Sequence, residues 1–107
     1  MADPHADAPL VEAGTPLADA SAALVLVHGR GASARQIVRT MEPLQREGLA
    51  VLAPQAAGNT WYPQSFLAPV ETNEPGRSSG LDAIERAVRR VADAGVSHEN
   101  VVLLGFS

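Results

Sequence analysis

Residues 105–107 read Gly105-Phe106-Ser107 and follow the aliphatic run Val101, Val102, Leu103 and Leu104. An apolar strand running into Gly-x-Ser is the first half of G-x-S-x-G, the strained strand-to-helix turn that exposes a serine hydroxyl at the top of a sheet. Such a serine attacks a carbonyl carbon while a neighbouring base takes its proton. Small residues beside it are a steric requirement, because a sharp turn leaves no room for larger ones. Ser107 is therefore the candidate nucleophile. Gly-x-Ser is also a common triplet, and a plain strand closed by a serine fits these residues too.

The second constellation is His28-Gly29-Arg30-Gly31, directly after the apolar residues 22–27. In an α/β-hydrolase the loop at this point gives one backbone N–H to the oxyanion hole, and the residue after the nucleophile gives the other. The donor here would be the Arg30 N–H, with His28, Gly29 and Gly31 shaping the loop. One such donor is worth about 10²–10³ in rate. The same stretch also fits G-x-G-x-x-A from Gly29 to Ala34, the phosphate turn of a Rossmann unit. That unit needs an acid at the end of the next strand to hold a ribose, and Ala53-Pro54-Gln55 has none. A glycine turn that only joins strand to helix is a third reading. Trp61, Tyr62, Phe66 and Leu67 offer an apolar wall for an acyl or alcohol group; they equally fit a loop pinned to the core by its aromatics.

None of the three histidines suits the general base. His5 falls in the N-terminal tail, where solvent is expected. His28 closes a strand and would organise the oxyanion loop. His98 precedes a strand, where a turn role is the default. The α/β-hydrolase order is Ser, then Asp or Glu, then His, so both partners are expected beyond Ser107.

The elements that must position these groups follow from periodicity. Residues 22–28, 49–53 and 101–104 are unbroken apolar runs, as parallel strands buried on both faces require. Ser33 is a candidate N-cap for a helix carrying Ile37, Met41 and Leu44 on one face, with Pro43 kinking or restarting it and Gly48 ending it. Ser78 or Ser79 is expected to cap a second helix. Its apolar positions are Leu81, Ile84, Val88 and Val91, with Asp82–Arg86 and Glu85–Arg89 pairs on its surface and Gly95 at its end. Residues 55–79 form a long connection, and such loops are usually functional. Residues 1–8 read as a loose tail, and residues 8–13 with 16–17 as a short edge hairpin around Gly14-Thr15. Strand–helix repeats of this kind give a mostly parallel sheet with helices on its faces. The expected organisation is a tail and hairpin over 1–21, then one α/β unit over 22–107.

Composition sets limits. The 107 residues are 46% apolar and 19% charged, which suits one modest globular core. A net charge of −4 argues against nucleic acid or anionic membrane as partner. The absence of cysteine excludes disulfides, a thiolate nucleophile and zinc–thiolate sites. The acidic, Ala- and Pro-rich start lacks the basic and apolar regions of a signal peptide, and residues 22–27 are too short to span a bilayer. A cytoplasmic protein is expected.

Taken together, Leu26 to Ala32, Ala53-Pro54-Gln55, Trp61-Tyr62-Pro63 and Leu103 to Ser107 resemble the phospholipase/carboxylesterase family of α/β-hydrolases. That group includes the acyl-protein thioesterases, and the likeness is nearest to its small bacterial esterases. It covers residues 22–107 and implies the N-terminal part of an α/β-hydrolase, ending at the nucleophile elbow. It further implies Ser107 as nucleophile, the Arg30 N–H as oxyanion donor and a cleft bordered by Trp61 and Tyr62. The family hydrolyses carboxylic esters, thioesters or lysophospholipids without metal or cofactor. Its members continue with a second glycine, more strands, and the triad Asp and His. The expected partners are thus a small ester and a complementary C-terminal chain that completes the sheet. Without them the chain is expected to be inactive and marginally stable, its last strand left as an apolar edge. Two other functions stay open: a non-catalytic binding domain of this fold and a nucleotide-binding domain.

Overall fold

The computed structural model describes residues 3–106. The aliphatic runs build a four-stranded sheet in the order β1-β3-β2-β4, from β1 (Leu10–Gly14), β2 (Ala22–Val27), β3 (Leu49–Pro54) and β4 (Val101–Gly105). β3, β2 and β4 run parallel, and β1 joins β3 antiparallel. Side chains alternate across a strand, so a strand covered on both faces needs apolar residues throughout. Ala23, Val25, Ala50 and Leu52 face one layer, where Ala87 and Val91 of α2 (Gly76–Asp93) cover them. Leu24, Leu26, Val51 and Ala53 face the other, beneath Ala34 and Ile37 of α1 (Ala34–Thr40). This mixed sheet with a helix on each face is a partial α/β-hydrolase fold.

Local signals set the first helix. Ser33 is extended, and its hydroxyl accepts the Gln36 N–H at 3.2 Å. α1 stops at Thr40, and Pro43, which has no N–H to continue it, sits in a separate 3₁₀ turn, Glu42–Leu44. Gly48 then turns the chain at φ +85°, in the left-handed region that favours glycine.

Four expectations need correction. Residues 3–8 are not a loose tail: they turn through Ala6 N–H to Asp3 O and Ala8 N–H to His5 O, and His5 is 2% exposed. The edge hairpin does not form. Residues 10–14 take the open edge of β3 instead, in register from Leu10 opposite Pro54 to Gly14 opposite Ala50, and Leu17–Asp19 is a 3₁₀ turn. α2 begins at Gly76, before Ser78 and Ser79, because the Glu74 carboxylate caps it from outside. The Ser78 hydroxyl and N–H both donate to that carboxylate and hold the Glu74 carboxyl below its usual range. Finally, the buried stripe of α2 is Gly76, Ser79, Gly80, Ala83, Ala87 and Val91, with Leu81 largely exposed and Ile84 and Val88 half-buried. Small side chains let the helix approach the sheet closely, so the larger apolar residues lie to either side.

The surface pairs divide likewise. Glu85 and Arg89 meet at 2.6 Å. Arg86 turns from Asp82 to the His5 carbonyl at 3.4 Å, and Arg90 reaches Glu12 on β1 at 2.8 Å. On β4, Val102 and Leu103 are more than half exposed, so this strand is an apolar edge.

Candidate active site

The C-terminal ends of β2 and β4 open on a cleft of about 530 Å³. In open α/β sheets ligands bind at this end of the strands. Val27, His28, Gly29 and Arg30 form one side of the cleft, Trp61, Tyr62 and Phe66 another, and Gly80, Leu81 and Ile84 of α2 a third. Phe106, whose N–H donates to Val27 O at 3.0 Å, lines it at the end of β4. Ser107 lies outside the described residues. Trp61, Tyr62 and Phe66 thus line this cleft, whereas Leu67 is 82% exposed and does not.

Strand β2 fixes His28 by delivering it buried at the sheet's upper edge, 1% exposed. Both ring nitrogens are engaged: Nε2 accepts the Ala56 N–H at 3.0 Å, and Nδ1 lies 2.9 Å from Gly29 O. The neutral tautomer with its proton on Nδ1 satisfies both, an assignment made from the hydrogen-bond network. The His28 carbonyl in turn accepts the Trp61 indole N–H at 2.7 Å, and the two rings stack with centroids 5.0 Å apart. His28 therefore has no free nitrogen with which to accept a serine proton. His5 is equally occupied, by Ala57 N–H and Trp61 O. His98 sits before β4, at the opposite end of the strand from Phe106, which is about 17 Å away at the usual rise per residue.

The turn after His28 is held in a defined shape. Gly31 adopts φ +77°, and its N–H donates to Asn59 O at 2.8 Å. The Arg30 N–H has no acceptor among the described residues. The Arg30 guanidinium faces the long loop, donating to Pro63 O at 3.2 Å and Gln64 O at 2.5 Å, 5.3 Å from the Tyr62 ring centre. Turn and cleft wall are thereby tied together. Two of the first N–H groups of α1 are already used: Ala34 N–H donates to Gln55 Oε1 at 2.8 Å and Gln36 N–H to Ser33 Oγ. A phosphate would find those two donors taken, which weighs against the dinucleotide reading. Among the described residues no cluster of His, Asp or Glu forms a metal site, and no helix is long and apolar enough to cross a membrane.

Several contributors escaped the sequence reading. Buried Asn73 accepts Gln64 N–H at 2.7 Å and donates to Ser65 O at 3.1 Å, fixing the loop's far limb. Arg77 and Leu81 line the cleft from α2. The signal is the pair Gly76 and Gly80, about one helical turn apart: Gly76 opens α2, and Gly80 lies in its interior, where glycine costs about 1 kcal/mol relative to alanine. A Cβ on Gly76 would stand 2.6 Å from Trp61 O, and one on Gly80 3.2 Å from Trp61 Cε3. The helix is smooth there so that the tryptophan can seat. Gly76→Ala is therefore expected to destabilise the fold by about 1–3 kcal/mol, as overpacking does, despite alanine's better helix propensity; the urea midpoint checks this.

No family model matches the chain, and no curated protein does. Solved structures do match. A phospholipase/carboxylesterase from Dyadobacter fermentans DSM 18053 superposes with a TM-score of 0.89 and 36% sequence identity, over 94% of this chain and 48% of that one. The chain thus spans about half the length of this solved relative. Sheet order, the cleft at its C-terminal edge and this likeness agree: the chain fits the phospholipase/carboxylesterase family of α/β-hydrolases, over about half the length of such a protein.

Proposed function

We propose that this chain is the N-terminal part of a serine carboxylesterase, with Ser107 as nucleophile and the Arg30 N–H as one oxyanion donor. The observation that carries the reading is the Arg30 N–H, without an acceptor among the described residues, on a turn fixed from both sides; Arg30 lines the same cleft as Phe106, the neighbour of Ser107 in the chain. In this mechanism the Ser107 hydroxyl attacks the ester carbonyl as its proton passes to a histidine base. The carbonyl oxygen becomes an oxyanion held by backbone N–H groups. Collapse expels the alcohol, protonated by the histidinium, and leaves an acyl-serine. Water attacks this acyl-enzyme by the same route, releasing the acid and restoring the serine. Trp61, Tyr62 and Phe66 would contact the acyl or alcohol group.

The base must come from outside this chain, because His5 and His28 are fully hydrogen-bonded and His98 is remote. The apolar edge of β4 is where further strands, in a complementary segment, would complete the sheet and bring the Asp and His. We place the reaction in the cytoplasm and assign it no metal or cofactor. The 107-residue chain alone is expected to give no turnover of a p-nitrophenyl ester above background. A protein in which this chain continues into such a segment is expected to hydrolyse it. Turnover by the short chain that survives Ser107→Ala would reject this assignment.

A further inference from the structure

We propose that His5 is a positioning residue of the cleft: it seats Trp61 on α2 and, through the Trp61 indole, fixes the His28 carbonyl and the turn that carries the Arg30 N–H. His5 is 2% exposed although it lies only a few residues from the N-terminus. Its backbone N–H donates to Ser79 Oγ at 2.9 Å, and the Ser79 hydroxyl donates to the Asp3 carboxylate. Its carbonyl accepts Arg86 Nη2 at 3.4 Å. The ring is thus anchored from α2 before it touches the loop.

The ring then makes the contacts that matter for the cleft. Nδ1 accepts the Ala57 N–H at 3.0 Å, and Nε2 donates to Trp61 O at 2.8 Å. His28 accepts the preceding N–H, that of Ala56, at 3.0 Å. Two imidazoles therefore hold consecutive peptide groups of one loop, and both rings touch Trp61, His28 stacked at 5.0 Å and His5 edge-on at 5.1 Å. Gly80 leaves space for both Trp61 and His5, whose Cδ2 would stand 3.9 Å from a Cβ there. Trp61 has one polar atom on its side chain, and it is spent on His28 O. Displacing the indole frees that carbonyl, one residue before Gly29 and two before Arg30. A displacement of about 1 Å at a reacting centre can cost about 10²-fold in rate. The inference rests on the esterase reading only in taking this cleft as the substrate's; the seating of Trp61 does not depend on it.

Trp61 is the chain's single tryptophan, so its fluorescence reports its own seat. His5→Phe keeps the ring and removes both ring hydrogen bonds. Ala57→Pro removes the N–H that His5 accepts without touching His5, and Ala56 already has the extended backbone a proline requires of its predecessor (φ −78°, ψ 139°). In both variants of the 107-residue chain, acrylamide quenching of Trp61 should rise severalfold and its emission shift to the red, with far-UV circular dichroism unchanged. In a protein that carries the complementary segment, His5→Phe should lower kcat by roughly 10–100-fold with a smaller effect on KM. Unaltered Trp61 fluorescence in the variants would overturn the proposal. So would a change that appears only in step with lost helix signal in both. If His5→Phe fails to fold, Ala57→Pro decides by the same readouts. If fluorescence responds while the unmodified natural protein hydrolyses no ester, the positioning role stands and the esterase assignment falls.

Discussion

Alanine at position 107 will lower kcat for a carboxylic ester by about 10⁴–10⁶-fold in the natural protein, with KM little changed. The size follows from what the serine does. As the proposed nucleophile it would supply the attacking atom, so its removal would end acyl transfer and leave only the catalysis of bound water by oxyanion donors. In the proposed mechanism those donors include the Arg30 N–H, a backbone group that survives the substitution. A residual rate above the uncatalysed one is therefore part of the expectation. Steady-state kinetics on p-nitrophenyl acetate and butyrate measures it. A loss of only a few-fold would show that the nucleophile is elsewhere.

The second large effect is on stability, at His28. His28→Ala is expected to cost about 3 kcal/mol, read as a shift of the urea midpoint at unchanged slope. The buried Ala56 N–H loses its acceptor, which costs about 1–3 kcal/mol, and the Trp61 indole loses a stacked ring worth about 0.5–1.5 kcal/mol. His28→Phe retains most of the stacking and should recover part of the loss. These outcomes separate the structural role from a catalytic one. A general base at this position would leave stability nearly untouched when replaced and abolish turnover.

The parts of the fold legible in the sequence are those whose cause is local. Strands β2 and β3 announced themselves because burial on both faces demands an unbroken apolar run. Ser33 was legible as a cap because its partner is only three residues away. The turn at His28 to Gly31 was legible because glycines there answer to backbone geometry alone.

What escaped depends on partners far along the chain. His5 looked like a tail residue because its contacts lie at Ala57, Trp61 and Ser79, and no periodicity near residue 5 encodes them. The helix face is hidden for a related reason. The largest apolar side chains, Leu81 and Ile84, dominate the periodicity, whereas the sheet selects the smallest, Gly80 and Ala83. A glycine at helical spacing carries the information, but as an absence of bulk whose meaning appears only once Trp61 lies against it. Leu67 shares only sequence proximity with its aromatic neighbours, and the loop turns it outward. The edge hairpin failed because β3 offered residues 10–14 a longer pairing than two residues beyond the turn could.

The central claim is that Ser107 is the nucleophile of this cleft. Its most direct test is covalent labelling of the natural protein with a fluorophosphonate, followed by peptide mass spectrometry. The account predicts a single phosphonylated serine, Ser107, with labelling lost in Ser107→Ala. A label on another serine, or none on a protein that hydrolyses esters, would contradict it.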